Sequence, residues 1–184
     1  MTSTAAAWMS GGALFSGQKL RNVSVLHLFK HAWHDSVGVV GLADIDDERN
    51  GLPMFKPMEW AFDSSRLCFY IPVDTQKLTV KLLDNSIADI RLCQKGMELC
   101  EPHWKSQPTN VVNMTFRQLD GMELTFDNRG MLSMHRPCKR VICLRAKASR
   151  KHAIQKMWLK EGDWQFPDFS SEGLSVSENI GAWK

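Results

Sequence analysis

With 184 residues, 43% of them apolar and 23% charged, the chain has the composition of an ordinary globular protein and the length for one domain with a sizeable core. No apolar run approaches the roughly 18 residues that span a bilayer, so no membrane partner is expected. The five cysteines are odd in number, follow no secretory leader and include no Cys-x-x-Cys pair. That argues for free thiols in a reducing, nuclear or cytoplasmic compartment and against a cysteine-built zinc site.

The net charge of +3 is unevenly spread. Ten Lys/Arg and no Asp/Glu lie between Arg129 and Lys160, which leaves 13 basic against 20 acidic residues elsewhere. An acid-free block in an otherwise acidic chain suggests contact with a polyanion.

Residues 1–20 are rich in Ala, Ser, Gly and Thr and read as a mobile segment with a faint transit-peptide character. Residues 21–160 read as a single domain. Ser24 to Phe29 form a first strand, placing His27 and His31 on one face. A long connection follows, with the acidic run Asp44-Ile-Asp-Asp-Glu48 read as a solvated rim; long loops in compact units are often functional. Asn50-Gly51 is a turn signal before a second strand, Leu52 to Phe55. Pro57 suits the first turn of a helix. On that helix Met58, Ala61 and Phe62 share an apolar face, while Glu59 and Asp63, four apart, share another.

Alternation then predicts a hairpin from Leu67–Ile71 and Leu78–Leu82. A short helix from Asn85 or Ser86 to Leu92 is expected next, then a loop over 101–110. A second hairpin is expected over Val112–Phe126, turning at Asp120-Gly121. Val141–Leu144 reads as a short strand and Arg145–Lys160 as a helix. That helix should bury Ala146, Ala153, Ile154, Met157 and Trp158 and turn Lys147, Arg150 and Lys151 outward. Residues 161–184 read as a polar tail, loosely docked through Trp164, Phe166 and Phe169.

His27-Leu-Phe, Asn50-Gly-Leu and Trp60-Ala-Phe-Asp63, in this order and spacing, resemble the core of an HNH endonuclease domain. The similarity is to the variety with an Ala-His-Leu/Ile … Asn-Gly-Leu-Leu-Leu … Phe-Asp pattern, and it covers His27 to Phe69. A weaker similarity continues from Arg136-Pro137 to Trp158. The resemblance implies an α+β fold with a ββα-metal core and metal-dependent hydrolysis of nucleic-acid phosphodiesters, with DNA expected before RNA. It implies His27 as general base and Asn50 as the residue that fixes the loop. Glu59 stands where the family usually has a metal-binding His, and Asp63 follows one turn later. A carboxylate pair favours Mg²⁺ or Mn²⁺ over Zn²⁺. His31 and His34 are secondary candidates. Arg136, Lys139, Arg140, Lys147, Arg150 and Lys151 are the candidate phosphate contacts.

Leu26 precedes His27, where many relatives carry a metal ligand, and Glu59 replaces a His. The same residues therefore also fit a catalytically inactive HNH-fold relic that binds nucleic acid or a protein partner.

Overall fold

A computed structural model describes residues 23–29, 38, 40–42, 44–75, 77–100, 113–124 and 137–168. The 1–20 segment, His31, His34, the 101–110 loop, Arg136 and Phe169 lie outside the described residues.

Strands β1 (Val23–His27) and β2 (Gly51–Phe55) pair antiparallel, with Val23 opposite Phe55 and His27 opposite Gly51. Helix α1 (Lys56–Asp63) follows β2 without a gap, with Pro57 in its first turn, where the missing N–H costs nothing. Its Pro57, Met58, Ala61 and Phe62 are buried, and it packs on β1, β2 and β3. The result is a ββα unit in an α+β chain.

The C-terminus of α1 is closed by its own backbone. Ser65 N–H donates to the Phe62 carbonyl at 2.9 Å, and Arg66 N–H to Ala61 at 2.8 Å. This Schellman arrangement needs a left-handed residue, and Ser65 supplies it at φ 56°.

Strands β3 (Leu67–Tyr70) and β4 (Leu78–Leu82) form the expected hairpin, Leu67 opposite Leu82. Both faces of β3 are covered. Leu67 and Phe69 enter the main core with Phe62, while Cys68 enters a second cluster with Leu83, Ala146 and Ala153. Phe62 and Phe69 stack at 5.4 Å between centroids and are each about 1% exposed. Full burial of such a ring contributes roughly 2–3 kcal/mol.

Several elements differ from expectation. Asp84 caps a single 3₁₀ turn at Asn85–Ile87 through Ser86 N–H, and helix α2 begins only at Leu92 and runs to Cys100. Phe116–Leu119 is a helical turn, α3, rather than the first arm of a hairpin. Thr115 and Gln118 close it with a reciprocal capping box, a side-chain satisfaction of end N–H groups that outweighed the alternating pattern. The Asp120-Gly121 turn does exist, with Gly121 at φ 78°. Its second arm, β5 (Glu123–Leu124), pairs with β4 instead.

The last helix, α4, runs from Lys139 to Gln155. It absorbs Val141–Leu144, an apolar run that is a buried helix face and not a strand. Ala146, Ser149 and Ala153 form a fully buried stripe of small side chains, which lets α4 lie close on β3. Met157, expected inside, lies beyond the helix end at φ 59° and is 90% exposed. The described part of the tail, 161–168, returns along α4 and is strapped to it. Arg150 donates to the carbonyls of Trp164 and Glu161, Lys147 pairs with Asp168 at 2.5 Å, and the Cys143 thiol reaches the Pro167 carbonyl.

Candidate functional site

The site is assembled where the long connection returns to the ββα unit. His27 ends β1 with its side chain 35% exposed, and its Nε2 lies 3.6 Å from Asp46 Oδ1. Beside Gly51, the backbone partner of His27, is Asn50, which is completely buried. The Asn50 side chain accepts from Phe29 N–H at 2.6 Å and donates to the carbonyls of Phe29 at 3.0 Å and Ile45 at 2.8 Å. Its own carbonyl accepts from Leu28 N–H at 2.8 Å. One amide thus ties the chain just after His27 to the end of the connection that returns to Gly51. A buried amide with both ends used is a rigid clamp, because releasing it strands several backbone groups without water.

The acidic run is organised, not merely a rim. Asp44 Oδ1 accepts from Asp46 N–H at 2.7 Å, an Asx turn that sets where Asp46 emerges. Ile45 is buried between them. Asp47 takes Arg49 in a two-pronged contact, at 2.9 Å to Nε and 2.6 Å to Nη2. Arg49 in turn reaches the Gly41 carbonyl, and the Arg49 carbonyl accepts from Cys138 N–H at 3.0 Å. Gly41 sits at φ 74°, a backbone conformation that strains any side-chain-bearing residue, and a Cβ there would press on Arg140 Nη1 at 3.0 Å. The start of α4 is therefore docked against the same connection.

The two candidate carboxylates on α1 have different surroundings. The Glu59 side chain is 17% exposed, with Lys56 Nζ 2.7 Å from its Oε2. Asp63 is exposed at the far end of the helix, within the electrostatic reach of Arg145 on α4. Arg145 is buried over the Phe62 ring at 4.6 Å. Burial pulls its guanidinium below the usual arginine value, and the Asp63 charge opposes that fall. Among the described residues no three His, Cys, Asp or Glu side chains come together. They therefore build no closed zinc cage, whereas an open hard-cation site of one or two carboxylates, waters and a substrate phosphate asks for less.

The basic candidates divide as well. Lys139 and Lys151 are exposed. Arg140 is only 7% exposed and packs against Gly41, so burial removes it from the set that can meet a phosphate. Lys147 is exposed but paired with Asp168, and Arg150 is half-buried, strapping the returning tail. Sequence reasoning did not single out Asp46, although an Asp two residues after another Asp is a recognisable turn signal. Arg66 was also overlooked. It pairs with buried Asp84 and lies between the rings of Trp60 and Trp158, at 5.4 and 5.3 Å.

Compared with known families, residues 15–70 match the model described as HNH endonuclease. The match supports an HNH domain over this segment. The match takes in β1, the connection, β2, α1 and β3, so the HNH segment ends inside the hairpin. The rest of the chain, α2 to α4, lies outside it. No curated protein and no solved structure matches the chain. Among the described residues, no helix is long and apolar enough to cross a membrane.

Proposed function

We propose that this chain is a nuclease of the HNH type, hydrolysing phosphodiesters of nucleic acid, DNA before RNA, with His27 as general base. The observation that carries the reading is the Asn50 clamp beside a half-exposed His27 that faces Asp46. It holds one imidazole at the end of a strand, backed by a rigid loop and open to solvent on the other side, which is what proton abstraction from a water requires. Asn50 positions the loop and touches no substrate. Glu59 is the α1 carboxylate we assign to a divalent cation, Mg²⁺ or Mn²⁺, while Asp63 serves Arg145. A bound cation would supply Lewis-acid stabilisation of charge on the phosphate and leaving oxygen. Exposed Lys139 and Lys151 supply phosphate contacts.

The second reading, an inactive relic that keeps nucleic-acid or protein binding, is favoured by the Lys56 contact to Glu59. Plasmid relaxation by the purified chain in EDTA, Mg²⁺, Mn²⁺ and Zn²⁺ separates the two. The nuclease reading expects nicking in Mg²⁺ or Mn²⁺ and none in EDTA. No nicking in any metal, with salt-sensitive DNA binding retained, would leave the relic.

A further inference from the structure

The returning tail creates a groove that the His27 site does not use. It has a volume of about 660 Å³ and is walled on one side by Lys147, Arg150, Lys151 and Gln155 of α4, and on the other by Glu161 and Phe166. Positions 147, 150 and 151 fall on one helical face because three- and four-residue spacings do. The Arg150 guanidinium is fixed in direction by its two carbonyl acceptors, Trp164 and Glu161, and meets no carboxylate among the described residues. Lys151 is exposed, likewise with no carboxylate partner among them. Beside these cations is an aromatic wall. Phe166 is half-buried, stacked on Trp164 at 4.6 Å with the planes 30° apart, and Trp164 is itself held edge-on against Tyr70 at 5.3 Å.

A cationic wall beside a braced aromatic ring, in a groove whose rim also carries Glu161, is chemistry that suits an unpaired strand. Phosphates meet the cations, and a base lies against the ring. A duplex hides its base faces in the stack and could use only half of this groove. We infer that the groove between α4 and residues 161–166 is an accessory site for single-stranded nucleic acid, through the juxtaposition of Arg150 and Lys151 with Phe166. The inference rests on the nucleic-acid reading above and deepens it. The same helix whose first turn docks on the connection carrying Asp46 also carries the groove. Lys147 lies eight positions after Lys139, about 12 Å along a helix, so one strand can engage both regions.

The test is fluorescence anisotropy on the full chain with a labelled short oligothymidylate and, separately, a duplex of equal length, each titrated with salt. The variants are Lys151→Glu and Gln155→Glu, both exposed and therefore compatible with folding, and Phe166→Leu. His27→Ala is the comparison. The groove predicts tighter binding of the single strand than of the duplex. Lys151→Glu should weaken it about five- to tenfold and lower the salt slope by about 0.7. Phe166→Leu should weaken it about fivefold or more, and Gln155→Glu by a smaller factor in the same direction. His27→Ala should change oligothymidylate binding less than Lys151→Glu does, while slowing any nicking at least about 100-fold. Oligothymidylate bound in the groove without nicking by the wild type would keep this inference and sink the nuclease reading. Nicking by the wild type, with oligothymidylate binding indifferent to Lys151→Glu and Phe166→Leu, would do the reverse. A preference for duplex, or no binding to either probe, overturns the groove.

Discussion

Replacing Asn50 probes the clamp that the site depends on. In Asn50→Ala the Phe29 N–H, the Phe29 carbonyl and the Ile45 carbonyl all lose their partner inside a position that is completely buried. Three net hydrogen bonds at about 1 kcal/mol each, with partial relaxation toward water, give a loss of roughly 2–4 kcal/mol. For a chain of this size that lowers Tm by about 4–16 °C. Asn50→Asp is the sharper variant. Its carboxylate keeps the acceptor for Phe29 N–H but faces two carbonyl oxygens where the amide had placed an N–H₂. Burial and those oxygens disfavour the charged form, so the carboxyl is held protonated in the fold, above its unfolded value of about 3.9. An acid with a raised folded pKa loses stability as pH rises from the unfolded toward the folded value. The deficit of Asn50→Asp relative to the wild type should therefore be smallest near pH 4 and grow toward pH 7. Urea unfolding followed by tryptophan fluorescence across that range measures it. An Asn50→Ala variant within about 0.5 kcal/mol of the wild type, or an Asn50→Asp deficit that does not change with pH, would refute the clamp.

Three further outcomes are expected. Ser65→Gly should stabilise the fold by about 0.5–1 kcal/mol, since Ser65 sits at φ 56° where only glycine rests without strain; thermal melts decide the sign. Burial pushes the Cys68 thiol well above the ordinary range. It should react with a thiol reagent only on unfolding, after the half-buried Cys93 and Cys138, as peptide mapping of partially labelled protein would show. Its contribution to stability is complete below the unfolded thiol pKa and should fall as pH rises above it. Glu59→Gln should shift or abolish the metal response of nicking. Asp63→Asn should leave that response intact and cost at most about 1 kcal/mol through the lost attraction to Arg145, so equal metal defects in both would reverse their assigned roles.

The ββα unit was legible because each piece carries its own local instruction. His27 ends a β-branched run, Asn50-Gly51 turns the chain, and Pro57 starts a helix whose apolar positions then recur on one face. The hairpin at Leu67–Leu82 was legible for the same reason. Val141–Leu144 was misread because a short apolar run looks the same on a buried helix face as on a strand. The 112–126 region was misread because alternation around Asp120-Gly121 outweighed the Thr115-x-x-Gln118 capping signal, which is what the backbone obeys. In the site, His27 and Asn50 had a motif to mark them. Asp46 had only an Asx turn and a fold-dependent approach to His27. The basic block shows the limit of counting charges, since Arg140 and Arg145 are buried and Arg150 holds backbone carbonyls. Which cations remain available depends on how the tail returns, and no local pattern encodes that.

The claim that most needs testing is that His27 is the base of a working HNH site. The measurement is the rate of plasmid nicking in Mg²⁺ or Mn²⁺ by the wild type and by His27→Ala, each with and without added imidazole. A positioned general base contributes about 10²–10⁴-fold. His27→Ala should therefore lose at least about 100-fold and recover part of that loss when imidazole is supplied. Nicking by His27→Ala at the wild-type rate would contradict the account.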